Sequence, residues 1–221
     1  MIDQEKLKQK VASAIDDNRE HFIEIGERIF NNPELGYKER ETSELIVKEL
    51  ETLGLQVEKG LALTGCKAKA KGKENGPTIG IMGELDAIIS WEHPKAHLET
   101  GAAHACGHHI QLGIMLGVAI GLLASDAMKE LTGDVSFIAV PAEEFVELDF
   151  RSQLRNEGKI SFFGGKQEFI KKGYLDDIDI CISTHSSSDL DPINKKAMVS
   201  PITTGFVGKN IQYLGKPSHS G

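Results

Sequence analysis

Thr78-Ile79-Gly80-Ile81-Met82, running through Gly83 into Glu84-Leu85-Asp86, is an apolar stretch closed by two carboxylates. A strand wetted on one face alternates apolar and polar residues; this one does not, so it reads as a strand covered on both faces. Val135 to Val140 has the same character and is closed by Pro141-Ala142-Glu143-Glu144, while Ile178 to Ser183 ends at His185. Leu55 to Glu58 and Cys66 to Ala70 are further strand-type runs. Helical patterns surround them. Leu7, Val11, Ile15, Phe22, Ile25 and Ile29 mark a helical stripe over residues 3–31. Leu45, Ile46, Leu50 and Leu53 mark a second, with Thr42 or Ser43 as its N-cap and Gly54 at its stop. An apolar helix begins near Cys106 or His108 and runs to Ala124, and Gln167 to Lys172 forms a short helix. Apolar strands alternating with helices predict an α/β fold with helices on both faces of the sheet. Ser90 to Ala103 reads as irregular, and Met198 to Gly221 as extended with no following helix.

The chain has 221 residues, enough for one large domain or two small ones. Its 25 Lys and Arg against 33 Asp and Glu give a net charge of −8, which argues against nucleic acid and anionic membrane surfaces as partners. Three cysteines make no disulfide framework, and the polar N-terminus lacks the apolar core of a signal peptide, so a reducing, cytoplasmic setting is expected. Ile110 to Ala124 falls short of the roughly 20 residues that span a bilayer. Its Gly113, Gly117 and Gly121 predict a helix packed closely on the sheet. Cys66 and Cys181 read as core, and the Lys67 to Lys73 run as the solvent face of an edge strand.

Four polar clusters stand where strands or the apolar helix begin or end: Glu84/Asp86, Cys106/His108/His109, Glu143/Glu144 and His185. In open α/β sheets functional groups gather beyond the carboxyl ends of the strands, so these segments can meet in one crevice. Thiolate, imidazole and carboxylate together form a transition-metal ligand set, suited to zinc and tolerable to manganese, cobalt or nickel. Gly107 permits the turn that lets Cys106 and His108 reach one ion. Of the adjacent Glu143 and Glu144, one carboxylate can bind metal while the other accepts a proton from water. His93 and His97 have helical zinc spacing, but Pro94 breaks the helix; Gly164-Gly165-Lys166 lacks the residues of a phosphate cradle.

The order Gly83-Glu84-Leu85-Asp86-Ala87, His104-Ala105-Cys106-Gly107-His108, Pro141-Ala142-Glu143-Glu144 and His185 resembles the aminoacylase/carboxypeptidase family of dinuclear metallo-amidohydrolases. The nearest branch uses a Cys ligand and includes auxin-conjugate, hippurate and p-aminobenzoyl-glutamate hydrolases. Asn32-Pro33-Glu34-Leu35-Gly36 and Gly215-Lys216-Pro217-Ser218-His219 fit it as well. The resemblance implies two divalent ions, Zn or Mn foremost, held by Cys106, His108, Glu144 and His185. It implies Glu143 as general base for a metal-bound water, Asp86 as the carboxylate that steadies a ligand, and His219 as the residue that reaches substrate across a homodimer. The implied reaction is cleavage of N-acyl or N-aroyl amino acids, with a dipeptidase or carboxypeptidase of the same family, or a non-catalytic binding module reusing the fold, as alternatives. The implied architecture is a zinc-exopeptidase-like catalytic domain over residues 1–196, then the start of an inserted α+β lid or dimerisation domain over 197–221. The family continues well beyond such a lid motif, so the chain is expected to be the N-terminal part of a protein near twice its length, inactive by itself. Two departures stand out. The family follows Cys-Gly-His with Asp, one residue and His, where this chain has His109 and Gln111; its Asp-Ala-Leu-Pro reads Asp86-Ala87-Ile88-Ile89.

Overall fold

The structure, a computed structural model, describes residues 3–186 together with 205, 211 and 213–216. The chain divides into two units, 1–186 and 187–221, and the fold below is that of the first. His219 and most of the stretch 198–221 lie outside the described residues. In chain order the elements are α1 (Gln4–Asp17), α2 (Arg19–Asn31), α3 (Arg40–Thr52), β1 (Val57–Leu61), β2 (Gly65–Ala70), β3 (Glu74–Glu84), β4 (Ile88–Ile89) and β5 (Ala102–Ala103). They continue as α4 (His108–Ala124), β6 (Thr132–Val140), α5 (Leu148–Asn156), α6 (Gly165–Lys171) and β7 (Ile180–Ser183).

The main sheet has the order β1-β2-β6-β3-β7. β3 lies between β6 and β7 and runs parallel to both, with Ile79 opposite Val135 on one side and Ile180 on the other. β2 runs antiparallel to β1 and β6. Both faces are covered, as the uninterrupted apolar runs require. On one face Ile25, Ile29, Ile46 and Leu50 of α2 and α3 and Leu112, Met115 and Leu116 of α4 pack with Ala68, Phe137 and Ala139. On the other, Phe169 of α6 meets Met82, Ile138 and Val140. Each such large side chain removed from water contributes about 1.5–3 kcal/mol. The segment expected to be irregular is closed at its base by β4 and β5, through Ile89 opposite Ala102.

Several expectations are corrected by long-range contacts. The first helical stripe is two helices, broken at Asn18, whose side-chain amide donates to the Ala14 carbonyl. Neither Thr42 nor Ser43 caps α3. The Glu34 carboxylate does so from outside the helix, accepting from the N–H groups of Arg40, Glu41 and Thr42 and from the Thr42 hydroxyl. The lysine-bearing strand β2 is interior, not an edge. Lys67 is buried and pairs with Asp177 at 2.9 Å, and Lys69 pairs with the same carboxylate. Cys66 is core, but Cys181 is exposed: among the described residues β7 forms the sheet's edge, bonded to β3 alone. The glycine face of α4 meets helices, not the sheet: Gly113 and Gly117 lie against Phe22 and Gly121 against Ile15 and Val11. Among the described residues no helix is long and apolar enough to cross a membrane.

Candidate metal centre

Because β6 and β7 run parallel to β3, their carboxyl ends lie along one edge of the sheet, the edge where open α/β sheets gather functional groups. Glu84 ends β3, Pro141-Ala142-Glu143-Glu144 follows β6, His185 follows β7, and His108 opens α4 beside them. Gly107 caps α4 with a φ of 97°, a left-handed backbone that glycine adopts without strain, and so turns Cys106 and His108 toward one place.

His108 stands at the centre and is fully buried. Its Nδ1 lies 2.7 Å from the Asp86 carbonyl and 3.4 Å from Asp86 Oδ1. Its Nε2 faces Glu84 Oε2 at 2.9 Å and Glu143 Oε2 at 3.9 Å. Asp86 Oδ2 accepts the Glu144 N–H at 2.9 Å, which ties the loop after β6 to the end of β3. Cys106 Sγ is 3.3 Å from His185 Nε2. His185 is oriented through Nδ1, 2.6 Å from the Ser186 carbonyl, and the Ser186 hydroxyl donates to the Cys106 carbonyl at 3.2 Å. Among the described residues two donor groups result, Cys106/His108/His185 and Glu84/His108/Glu143, each with its ligand atoms within 4.8 Å of one another and sharing His108. The Glu144 carboxylate lies near enough to Cys106 for its charge to act on the thiol.

The electrostatics favour positive charge at this centre. Burial works against a charged His108, yet the bonds and charges of Asp86 and Glu84 hold its pKa near 10. His108 Nε2 and Asp86 Oδ1 are nonetheless buried with no hydrogen-bond partner, Nε2 lying close to Glu84 but off hydrogen-bond geometry. A field that strongly favours a cation at an unpartnered imidazole nitrogen suits a divalent ion. Burial and the charges of Glu144, Glu143 and Glu84 raise the Cys106 thiol to about 12; a coordinated cation is what turns such a thiol into a thiolate. The two facing glutamates differ. Burial opposes ionisation of Glu84, but the close His108 ring and the Lys166 ammonium hold it at about 2. Glu143 is shifted upward, by burial and then by the Glu84 charge.

His109 does not join either group. It packs against Phe30 and His104, with ring centroids 4.8 and 5.5 Å away. Gln111, in the position of the family's second His, acts on Glu84 instead: its amide donates to Glu84 Oε2 at 2.9 Å and its carbonyl accepts the Glu84 N–H at 3.0 Å. His93 and His97 lie outside any helix, each accepting a nearby backbone N–H.

Three residues of this region are absent from the expected set. Lys166 pairs with Glu84 and lies 3.8 Å from Glu143 Oε1. It comes from α6, which reaches the centre because Gly165 sits directly on the Pro141 carbonyl; a Cβ there would lie 1.8 Å from that oxygen. Glu39 is fully buried, accepting the Ala142 N–H at 2.8 Å and the Thr64 hydroxyl at 2.6 Å. Burial and then the Asp86 charge raise its carboxyl to about 8. Arg151, also fully buried, donates to the Phe163 and Ala142 carbonyls. Gly165→Ala is expected to destabilise the fold by about 1–3 kcal/mol, the usual cost of an overpacked contact, read as a lower urea midpoint at unchanged slope.

No family model matches the chain. Thermostable carboxypeptidase 2 of Saccharolobus solfataricus is 30% identical over 186 residues, covering 82% of this chain and 43% of that protein. IAA-amino acid hydrolase ILR1-like 4 of Arabidopsis thaliana is 28% identical over 204 residues, covering 90% of this chain and 41% of its own length. Among solved structures, the YXEP protein of Bacillus subtilis, described as a dinuclear metal binding peptidase from the M20 family, superposes with a TM-score of 0.62 at 28% identity, covering 79% of this chain and 44% of that one. The chain thus spans under half the length of each.

Proposed function

The chain belongs to the aminoacylase/carboxypeptidase family of dinuclear metallo-amidohydrolases, and from that premise we propose that its protein hydrolyses the amide bond of N-acyl or N-aroyl amino acids. The observation that carries this reading is the division between Glu84, held ionised at about 2, and Glu143, half-buried and shifted upward beside it. Two carboxylates pushed apart in this way serve as fixed anion and proton carrier.

Cys106, His108, Glu144 and His185 are the ligands in this proposal, with Zn or Mn preferred and Co or Ni also suited to the donor set. Asp86 steadies the His108 ring, the task of an outer carboxylate at a metal-bound imidazole. When bound, the cations polarise the scissile carbonyl and acidify water. Glu143 takes the proton that the attacking water loses, and returns it to the amine nitrogen as the carbon–nitrogen bond breaks. The products are a carboxylate and a free amine. His219 is proposed as the group that hydrogen-bonds the developing oxyanion across a homodimer, from a lid or dimerisation domain beginning at residue 197. The substrate is a small molecule, and a dipeptide is the competing choice.

The test joins metal binding to hydrolysis in the full-length protein. Cys106→Ser is expected to weaken zinc binding on the order of 100-fold, one ligand's share of the ten or more kcal/mol that four ligands supply. It should abolish release of amine from a panel of N-acyl amino acids and dipeptides, whereas Cys66→Ser should leave affinity unchanged. Hydrolysis that survives exhaustive chelation would sink the proposal, and metal binding without turnover on the whole panel would favour a binding module.

A further inference from the structure

Glu143 lies half-buried in the loop after β6, and its two carboxylate oxygens face different partners. Oε2 is 3.9 Å from His108 Nε2, the buried nitrogen without a hydrogen-bond partner. Oε1 is 3.8 Å from the Lys166 ammonium, and among the described residues no other lysine or arginine pairs with this carboxylate. Lys166 is itself anchored at both ends. Its ammonium pairs with Glu84, whose side chain is only 4% exposed. Glu84 is fixed in turn by Gln111, which bonds its carboxylate and its N–H. At the backbone, Gly165 sits on the Pro141 carbonyl and donates its N–H to the Ala142 carbonyl at 3.2 Å. The start of α6 is therefore fastened one residue before Glu143.

The 3.8 Å contact is electrostatic, too long for a hydrogen bond, so it restrains the carboxylate without occupying the lone pairs that must take a proton. A bare ammonium so close would make Glu143 a poorer base; the Glu84 carboxylate offsets that charge. We propose that Lys166 is a positioning residue for the proton carrier: locked by Glu84 and Gln111, its ammonium holds Oε1 of Glu143 and leaves Oε2, on the His108 side, to exchange the proton. A side chain of α6 thus aims a group on a loop it does not belong to. The inference rests on the assignment of Glu143 above and adds to it the residue that orients it. The ligand set of Cys106, His108, Glu144 and His185 is untouched.

Hydrolysis and zinc binding by the full-length protein test this together. Lys166→Met keeps the length of the side chain and removes its charge. It should lower kcat by about 100-fold, the cost of misplacing a reacting group by about 1 Å. KM and the zinc equivalents bound should stay unchanged, because Lys166 is not among the ligands. Lys166→Arg keeps the cation and should recover most of the rate. The deciding comparison is made in Glu143→Gln. There Lys166→Met should cost nothing further, because a residue that acts through Glu143 has nothing left to aim. An equal loss in both backgrounds, or wild-type kcat in Lys166→Met alone, would overturn the inference while the base assignment stands. Full turnover in Glu143→Gln would remove that assignment and this inference with it. Lys166→Gln repeats the comparison if the Met variant lacks native circular dichroism.

Discussion

Glu143→Gln is expected to lower kcat of the full-length protein by about 10²- to 10⁴-fold, the usual worth of a positioned general base. Gln keeps the size and hydrogen-bonding reach of the side chain but cannot accept a proton from water. Bound metal should be unchanged, since Cys106, His108 and His185 form a donor group without Glu143. KM should move little if the proton is transferred only in the transition state. The comparison that decides between the adjacent glutamates is Glu144→Gln. The Glu144 charge acts on the Cys106 thiol and Glu144 is a ligand in the proposal, so its loss should appear first in metal affinity. Equal loss of kcat in both variants with metal retained in both would show that the two roles are not divided as proposed. The pH profile supplies a second check. If Glu143 is the base, the acid limb of kcat/KM seen in the wild type should vanish in Glu143→Gln.

The strand ends were legible in the sequence because each is local: an apolar run followed at once by Glu84-Leu85-Asp86 or by Pro141-Ala142-Glu143-Glu144 needs no knowledge of the rest of the chain. Convergence was legible too, since parallel strands put like ends on one edge. The groups that tune those residues were not. Lys166 opens a helix far along the chain and reaches Glu84 only because Gly165 lets α6 touch the Pro141 carbonyl. Gln111 looks like a lost histidine until its amide is seen bonding Glu84 through both ends. Helix α5 escaped notice for a related reason. Its buried residues are Arg151 and Leu154, so a charged side chain occupies the position where an apolar stripe would show. In β2 the alternation of Lys67 and Lys69 with Ala68 and Ala70 imitates a wetted edge, while Asp177 and the Tyr174 carbonyl take up the Lys67 ammonium. Pattern reading assumes that charge faces water, and it fails where charge is paired inside.

Arg151 carries the largest expected effect on stability. Its guanidinium is fully buried, with Nη1 donating to the Phe163 carbonyl at 2.7 Å and, more weakly, to the Ala142 carbonyl at 3.4 Å. The Tyr37 and Phe145 rings lie 5.5 and 5.9 Å from its Cζ. Its charge faces those of Asp86 and Glu39. Ala142 itself holds a φ of 54°, a left-handed conformation unfavourable for a residue with a side chain, so the loop bearing Glu143 depends on contacts at both of its backbone groups. Glu39 takes the N–H and Arg151 the carbonyl. Arg151→Met fills much of the volume but leaves the buried Asp86 carboxylate without that nearby cation, and removing one member of a buried charged set costs about 3–5 kcal/mol. A fall of that size in the unfolding free energy should be measured in urea at neutral pH. Arg151→Lys retains the charge and loses the planar fork, so it should recover part of that loss. In either variant the relaxed Ala142 backbone moves Glu143, and kcat should fall with KM nearly constant. A stable Arg151→Met protein with wild-type turnover would mean that the guanidinium neither balances the buried Asp86 carboxylate nor holds the catalytic loop.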